Sequence, residues 1–449
     1  MTGREVDIEG PADDSGSGAL TSWRGLFGDA ATYVAGNVLN RAFPFLLLPV
    51  LTRYLTPAEY GTFVMFQVIV NFVLPLIGVN AEAALSRAFV DLEGASLRRY
   101  VSTACALMGL TTGALLLAIT IIGGPVAHFL EFPIRWLPMT ILVSAGESLK
   151  AVLLALWQMQ KRVRRYTAFT VLQTAIRFGA CLAPVLYAPD RMEGLMWGYS
   201  LSLLVFALYS GLELVREGYI SVAWSAADAR GLLRYGVPLV PHRMSSWLTG
   251  MADRVIIARL ANLSQVGIYS VGYSVGAAVA LVQDAFNRAW VPFFFERLKR
   301  GDRSARLSIV EFVYWYALAM IGAALLVTIL APLAFPLLGA RFVSARVFVV
   351  WIAFAYALNG IYKMFANFLF YSGHTHFLSS ITVSTGLLTI ATTTALVATR
   401  GVIGAGYGAV IGQLLACIGV FFAVRRAFAM PWREGVVRFT GRLRWRRAT

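Results

Sequence analysis

Apolar stretches of roughly 20 residues, the length of a bilayer-crossing helix, recur along this chain almost from end to end, separated by short polar connections. They predict twelve spans, at 31–52, 60–80, 101–123, 136–159, 168–188, 194–214, 235–257, 266–288, 308–333, 347–370, 377–399 and 402–424. The segments are continuous and rich in Leu, Val and Ala. A membrane β-barrel would instead show alternating segments about ten residues long. The longest connection, 215–234, divides the spans six and six. An even number of spans per half gives both halves one orientation, so the repeat is parallel about an axis along the membrane normal.

Two pairs of phrases carry the repeat. Arg53-Tyr-Leu-Thr-Pro-Ala-Glu-Tyr-Gly61 is echoed by Arg259-Leu-Ala-Asn-Leu-Ser-Gln-Val-Gly267, both ends at an offset of 206. Ser86-Arg-Ala-Phe-Val90 is echoed by Asn287-Arg-Ala-Trp-Val291 at an offset of 201. The expected fold class is an all-α polytopic membrane protein, with twelve transmembrane helices in two parallel six-helix lobes around a central cavity. The expected parts are a flexible tail over 1–27, an N-lobe over 28–214, a linker over 215–234, a C-lobe over 235–424 and a basic tail over 425–449. Chains built this way are mostly transporters that rock one half against the other around a midplane site.

Composition agrees with the pattern. The chain is 58% hydrophobic and 14% charged, against roughly 25% charged in soluble proteins. Its net charge of +16 reports topology: the alternate connections and termini on one side hold 25 Lys and Arg, and the opposite loops hold seven. By the positive-inside rule both termini face the cytoplasm of a bacterial cytoplasmic (inner) membrane. Nucleic acid is not an expected partner. The tail from Arg425 to Arg447, with Trp432 and Trp445 interleaved, suits the anionic inner leaflet instead. Cys105, Cys181 and Cys417 fall inside apolar spans and read as small core residues. The first 22 residues lack the basic start and apolar core of a signal peptide. Pro44, Pro49, Pro75, Pro238 and Pro241 interrupt spans at the head of each lobe, as helix bends for rocking or as packing kinks.

Ionisable groups inside spans are costly and become functional candidates by default. The cations are Arg41, Lys150, Arg177, Arg243, Arg254 and Lys363, and the acids, as coupling or latch residues, are Glu147, Asp253 and Asp284. Six against three predicts a positive excess. Glu147 and Lys150, three residues apart, share a helix face and can neutralise each other. Asp253 and Arg254 are adjacent, so they point about 100° apart and are expected to serve different neighbours. Arg243 can snorkel to headgroups. Arg41, Arg177 and Lys363 lie deeper and are expected to line the cavity. His242 reads as structural, and His374 and His376 show no metal-site spacing. No cofactor or metal is expected.

A cationic, hydrated cavity favours an anionic cargo, and the arginine fork suits phosphate through bidentate, charge-assisted bonds. Each negative charge leaving a cell across roughly 100 mV, inside negative, releases about 2.3 kcal/mol.

Leu233-Arg-Tyr-Gly-Val-Pro-Leu-Val-Pro241, Trp247, Asp253-Arg-Val-Ile-Ile257 and Val266-Gly-Ile-Tyr-Ser-Val-Gly-Tyr273 resemble the polysaccharide-biosynthesis (Wzx-type) oligosaccharide-lipid flippases. The Arg53–Gly61 phrase resembles the same family's first-lobe signature, and the resemblance covers about 20–430. It implies the multidrug/oligosaccharidyl-lipid/polysaccharide exporter fold. It also implies an undecaprenyl-pyrophosphate-linked glycan as cargo, turned from the inner to the outer leaflet for surface polysaccharide biosynthesis. Membrane lipids, a polysaccharide polymerase and a chain-length regulator are the expected partners. Three alternatives stand beside it. A multidrug/cation antiporter of the same superfamily would favour acids, whereas the first span carries Asn37, Asn40 and Arg41. Lipid II flippases resemble fourteen-span proteins. An enzyme on lipid-linked sugars would need a larger loop bearing acids or metal ligands.

Overall fold

In a computed structural model, the described residues are 45–221, 224–373, 375–428 and 430–445, and these are helical without a strand. Arg41, Asn37, Asn40, Pro44 and the 1–27 tail lie outside them, as do the side chains of His242, His374 and His376. The N-terminal half holds α1 (Phe45–Tyr54), α2 (Pro57–Val73), α3 (Ala81–Asp91), α4 (Gly94–Phe129), α5 (Leu137–Met159), α6 (Val163–Tyr187) and α7 (Arg191–Arg216). Next comes α8 (Ala226–Gly236), within and just beyond the expected linker. The C-terminal half holds α9 (Leu239–Gly250), α10 (Ala252–Leu260), α11 (Leu263–Gly276), α12 (Ala278–Arg300), α13 (Arg303–Ala334), α14 (Arg346–Tyr371), α15 (Thr375–Arg400) and α16 (Ile403–Ala427). The chain closes on α17 (Trp432–Trp445).

Length and apolar composition qualify nine spans among the described residues, or ten if the bent pair α11–α12 is one span. The difference from twelve falls at two places. Most of the first expected span precedes residue 45, leaving the short apolar α1. The seventh is not one helix: Met251 leaves helical geometry (φ −138°, ψ −19°), so α9 and α10 are each too short to cross alone. Outward-facing Ile121, Leu208 and Ile329 are 76%, 65% and 70% exposed. In water such surfaces would drive aggregation; here they face lipid, and the protein is a multi-pass membrane protein.

The first pair of repeated phrases, 53–61 and 259–267, has one structural meaning. Each is the last turn of a helix, a cap and the first turn of the next. Thr56 caps α2, with Glu59 closing a capping box and Pro57 at the first position. Its counterpart Asn262 caps α11 by accepting from the Gln265 N–H at 3.0 Å. The drop in offset from 206 to 201 is taken up at the following break. There the first lobe inserts a 3-10 turn (Leu74–Leu76) and a turn with φ of 60°, 49° and 59° at Gly78, Val79 and Asn80. The second lobe uses Ala277 alone.

The lobes meet where α2 crosses α11, and the contact is reciprocal. A Cβ on Gly61 would stand 1.9 Å from the Leu263 carbonyl oxygen, and one on Gly267 would stand 2.0 Å from that of Pro57. Leu263 and Pro57 are themselves related by the 206 offset. Two arginine contacts repeat the symmetry at the same end. Arg53 Nε donates to the Leu337 carbonyl at 3.1 Å, and Arg259 Nη1 donates to Glu131 Oε1 at 3.1 Å. Positions 131 and 337 are again 206 apart. The Gly339 N–H also reaches Thr52 Oγ1 at 3.3 Å; its counterpart, Pro133, has no N–H to give.

At the other end α8 packs on α3 and α4. Gly236 sits against the left-handed turn, where a Cβ would stand 1.9 Å from the Val79 carbonyl oxygen. Gly231, on the same helix, has open space. Gly236→Ala should therefore lower stability by about 1–3 kcal/mol through overpacking, whereas Gly231→Ala should be neutral or stabilising by up to roughly 1 kcal/mol. Thermal unfolding of the two variants in detergent measures the contrast; equal midpoints would refute it.

Candidate functional site: two adjoining chambers at and beside the lobe interface

The break at Gly250–Met251 opens backbone between the lobes, and two cavities share it. The first, of about 470 Å³, is lined by Asn71, Leu74 and Pro75 from the N-lobe and by Arg243, Trp247 and Arg254 from the C-lobe. The second, of about 480 Å³, lies within the C-lobe and is lined by Asp253, Asn359, Lys363 and Gln413 among others. Gly250, Tyr273 and Tyr356 line both. The two tyrosine hydroxyls are 2.9 Å apart, so a hydrogen-bonded pair stands at the partition.

Charge is arranged in pairs. Arg254, 7% exposed, donates from Nη1 to Asp253 Oδ1 at 2.6 Å and to the Gly250 carbonyl at 2.8 Å. Its guanidinium carbon lies 3.8 Å from the centre of the Tyr273 ring. The Tyr269 hydroxyl donates to the other Asp253 oxygen at 2.5 Å. Lys363 Nζ meets Asp284 Oδ1 at 2.6 Å, bridging α14 and α12. Arg243 meets Glu82 Oε1 at 2.6 Å, an ion pair between α9 and α3 and so between the lobes. Neutral groups extend the polar lining: Gln283 donates to Asn359 at 3.2 Å, Asn359 to Gln413 at 3.1 Å, and Asn367 to Asn287 at 3.0 Å.

Three sequence expectations change. Asp253 and Arg254 do pair with each other. The helix restarts at Ala252, so the Asp253 carboxylate folds onto the Arg254 N–H at 2.9 Å, and the long arginine arm leans back over that turn. Arg243, read as a cavity cation or a snorkelling one, bonds Glu82, which lies outside the expected spans and was not singled out. The positive excess is also smaller than the count of six against three. Lys150, Arg243, Arg254 and Lys363 each hold a carboxylate, because an uncompensated charge in low dielectric costs more than a paired one.

Arg243, Arg254 and Lys363 come together at these chambers; Lys150 and Arg177 line neither. Lys150 bonds Glu147 at 2.6 Å, as their spacing suggested. Arg177 and Glu147 stand on α6 and α5 inside the N-lobe. Tyr273 and Tyr356 were not singled out as site residues, and apolar helices give such uncharged lining residues no distinctive spacing.

The profile of the family described as "Polysaccharide biosynthesis protein" matches residues 26–298. The "Lsg locus putative protein 1" of Haemophilus influenzae is 26% identical over 395 residues, covering 87% of this chain and 95% of that protein. The "Succinoglycan biosynthesis transport protein ExoT" of Rhizobium meliloti is 26% identical over 233 residues, 50% of this chain and 44% of that one. Among solved structures, an inward-facing multidrug resistance MATE family transporter of the MOP superfamily superposes with a TM-score of 0.71 at 12% identity, covering 88% and 98% of the two chains. The lipid II flippase MurJ, in an inward closed conformation, gives 0.73 at 10% identity, covering 90% and 89%. These two show the fold. The family profile spans more than half of the 449 residues, and the chain belongs to the polysaccharide biosynthesis protein family.

Proposed function

We propose that the protein flips an undecaprenyl-pyrophosphate-linked glycan from the inner to the outer leaflet of the bacterial cytoplasmic membrane. The observation that carries this reading is the pair of adjoining chambers, one at the lobe interface and one within the C-lobe, which place Arg243, Arg254 and Lys363 among neutral hydrogen-bonding groups. Family membership supports a glycan cargo. The balance of charge on its own suits a cationic cargo as well, and the choice rests on the family rather than on net charge.

The paired cations refine the mechanism. An entering pyrophosphate competes with Glu82 and Asp284 for Arg243 and Lys363, gaining charge-assisted bonds. Displacing Glu82 loosens the contact between α3 and α9, so cargo binding weakens a lobe-to-lobe tie. The sugars occupy the hydrated chambers while the lipid tail stays in the bilayer. Reciprocal closure at the Gly61–Gly267 end then has to open to release the headgroup, with that end facing outward by the positive-inside assignment.

The test is complementation of a flippase-deficient strain with Lys363→Ala, Arg243→Ala and Arg177→Ala, with membrane insertion verified by protein level. The first two variants are expected to cut surface polysaccharide at least tenfold. Arg177→Ala, outside the chambers, is expected to have the smaller effect. Full export with both Lys363→Ala and Arg243→Ala would sink this reading.

A further inference from the structure

Away from the lobe interface, the N-lobe carries a groove of about 940 Å³ at the adjoining ends of α4, α5, α6 and α7. Its inner wall is a rigid aromatic ladder. Trp157 meets Phe169 edge-on at 5.7 Å, and Phe169 meets Phe206 at 5.1 Å, with all three rings buried. The rim is basic: Arg98, Arg162, Arg165 and Arg216 stand around Glu213 and Glu217.

Four guanidinium groups against two carboxylates leave two positive charges in excess, and the pairing is uneven. Arg162 is bonded tightly to Glu217 and is part of the frame. Arg165 lies 3.6 Å from Glu213 and 3.5 Å from Glu217, and Arg216 lies 3.8 Å from Glu213. These are loose contacts of side chains 60% and 79% exposed, of the kind that contributes little to folding. Arg98 is exposed and makes no ion pair among the described residues. Arg98 is unpaired among the described residues, and Arg165 and Arg216 are held only loosely, so all three can turn towards an anion, and a planar fork suits phosphate oxygens.

The apolar side of the groove indicates what carries that phosphate. Leu172 and Tyr209 line it and are 55% and 44% exposed. Beyond them, Ile176, Val205, Leu208 and Leu212 continue an exposed apolar strip along α6 and α7. The strip runs from the basic rim into the lipid-facing surface. A soluble phosphate would leave it unused, whereas an amphiphile fills both parts at once. The arginines also belong to segments that the distribution of basic residues assigns to one side of the membrane, where anionic headgroups meet basic side chains.

We propose that this groove binds an anionic phospholipid, its phosphate held by Arg98, Arg165 and Arg216 and its chains lying along α6 and α7. The site is separate from the chambers and does not depend on the identity of the cargo.

Native mass spectrometry of the purified full-length protein tests it with three probes: phosphatidylglycerol, phosphatidylcholine of the same chains, and inorganic phosphate. The wild-type protein is expected to retain phosphatidylglycerol at least tenfold over phosphatidylcholine, with millimolar inorganic phosphate failing to displace it. The triple variant Arg98→Ala/Arg165→Ala/Arg216→Ala is expected to lose that preference at least fivefold at an unchanged unfolding midpoint. Should the triple variant unfold, Arg216→Glu, at a side chain 79% exposed, is expected to lower the preference by itself. Equal retention of the two lipids by the wild-type protein would overturn the proposal, as would an undiminished preference in a folded variant. Displacement of the lipid by inorganic phosphate would overturn the lipid assignment in favour of a simple anion site.

Discussion

Gly61→Ala and Gly267→Ala are each expected to separate the lobes at the end where α2 crosses α11. The added methyl carbon would stand 1.9 Å from the Leu263 carbonyl oxygen in the first case and 2.0 Å from that of Pro57 in the second. These neighbours are backbone atoms, with no side chain to swing aside. The helices must move apart, and the Arg53–Leu337 and Arg259–Glu131 contacts lie on the same closed end. Overpacking of this kind costs about 1–3 kcal/mol, and 1.4 kcal/mol is tenfold in a conformational equilibrium. The equilibrium between closed and open arrangements should thus shift away from the closed one by roughly 5- to 150-fold.

Cysteines at 131 and 259, in a background without Cys105, Cys181 and Cys417, report that loss as crosslinking yield. Both glycines serve one contact, so the double variant should cost less than the sum of the singles. Gly109→Ala and Gly113→Ala, which meet open space on α4, serve as controls. Crosslinking and export unchanged in Gly61→Ala would refute a tight crossing at this point.

The largest loss of stability is expected from Asp253→Ala. Arg254 is 7% exposed, and its guanidinium would lose its carboxylate while the Tyr269 hydroxyl lost its acceptor. Removing one partner of a buried ion pair costs about 3–5 kcal/mol, because the survivor stays charged in low dielectric. Arg254→Met should cost less, since the carboxylate keeps Tyr269 and the Arg254 N–H as donors. The double variant should recover part of the loss, as the uncompensated charge is gone. Thermal unfolding of the four proteins in detergent completes the cycle. Strict additivity would mean that the two side chains do not stabilise each other.

These two predictions draw on different kinds of information. Gly61 and Gly267 were legible as repeat partners from their matched surroundings, and the cap residues Thr56, Glu59, Asn262 and Gln265 follow the same local grammar in both lobes. The Glu147–Lys150 pair was legible too, since three residues along a helix is a fixed distance. Arg243–Glu82 and Lys363–Asp284 were not, because residues 161 and 79 positions apart become neighbours only through helix packing. Asp253–Arg254 was misread for a related reason. The 100° rule assumes an uninterrupted helix and short arms, and here the helix breaks at Met251 beneath a long arginine.

The amino-acid order by itself determined the membrane-crossing helices, the two-lobe repeat and the residue types able to meet a charged cargo. Each of these depends on hydropathy over one segment or on spacing along one helix, which the chain carries before it folds. Packing decided which cations are neutralised, which of them share a chamber, and that the repeated glycines press against each other. Those are distances between separate helices, and in a low-dielectric interior such distances set what each charge costs and what it can bind.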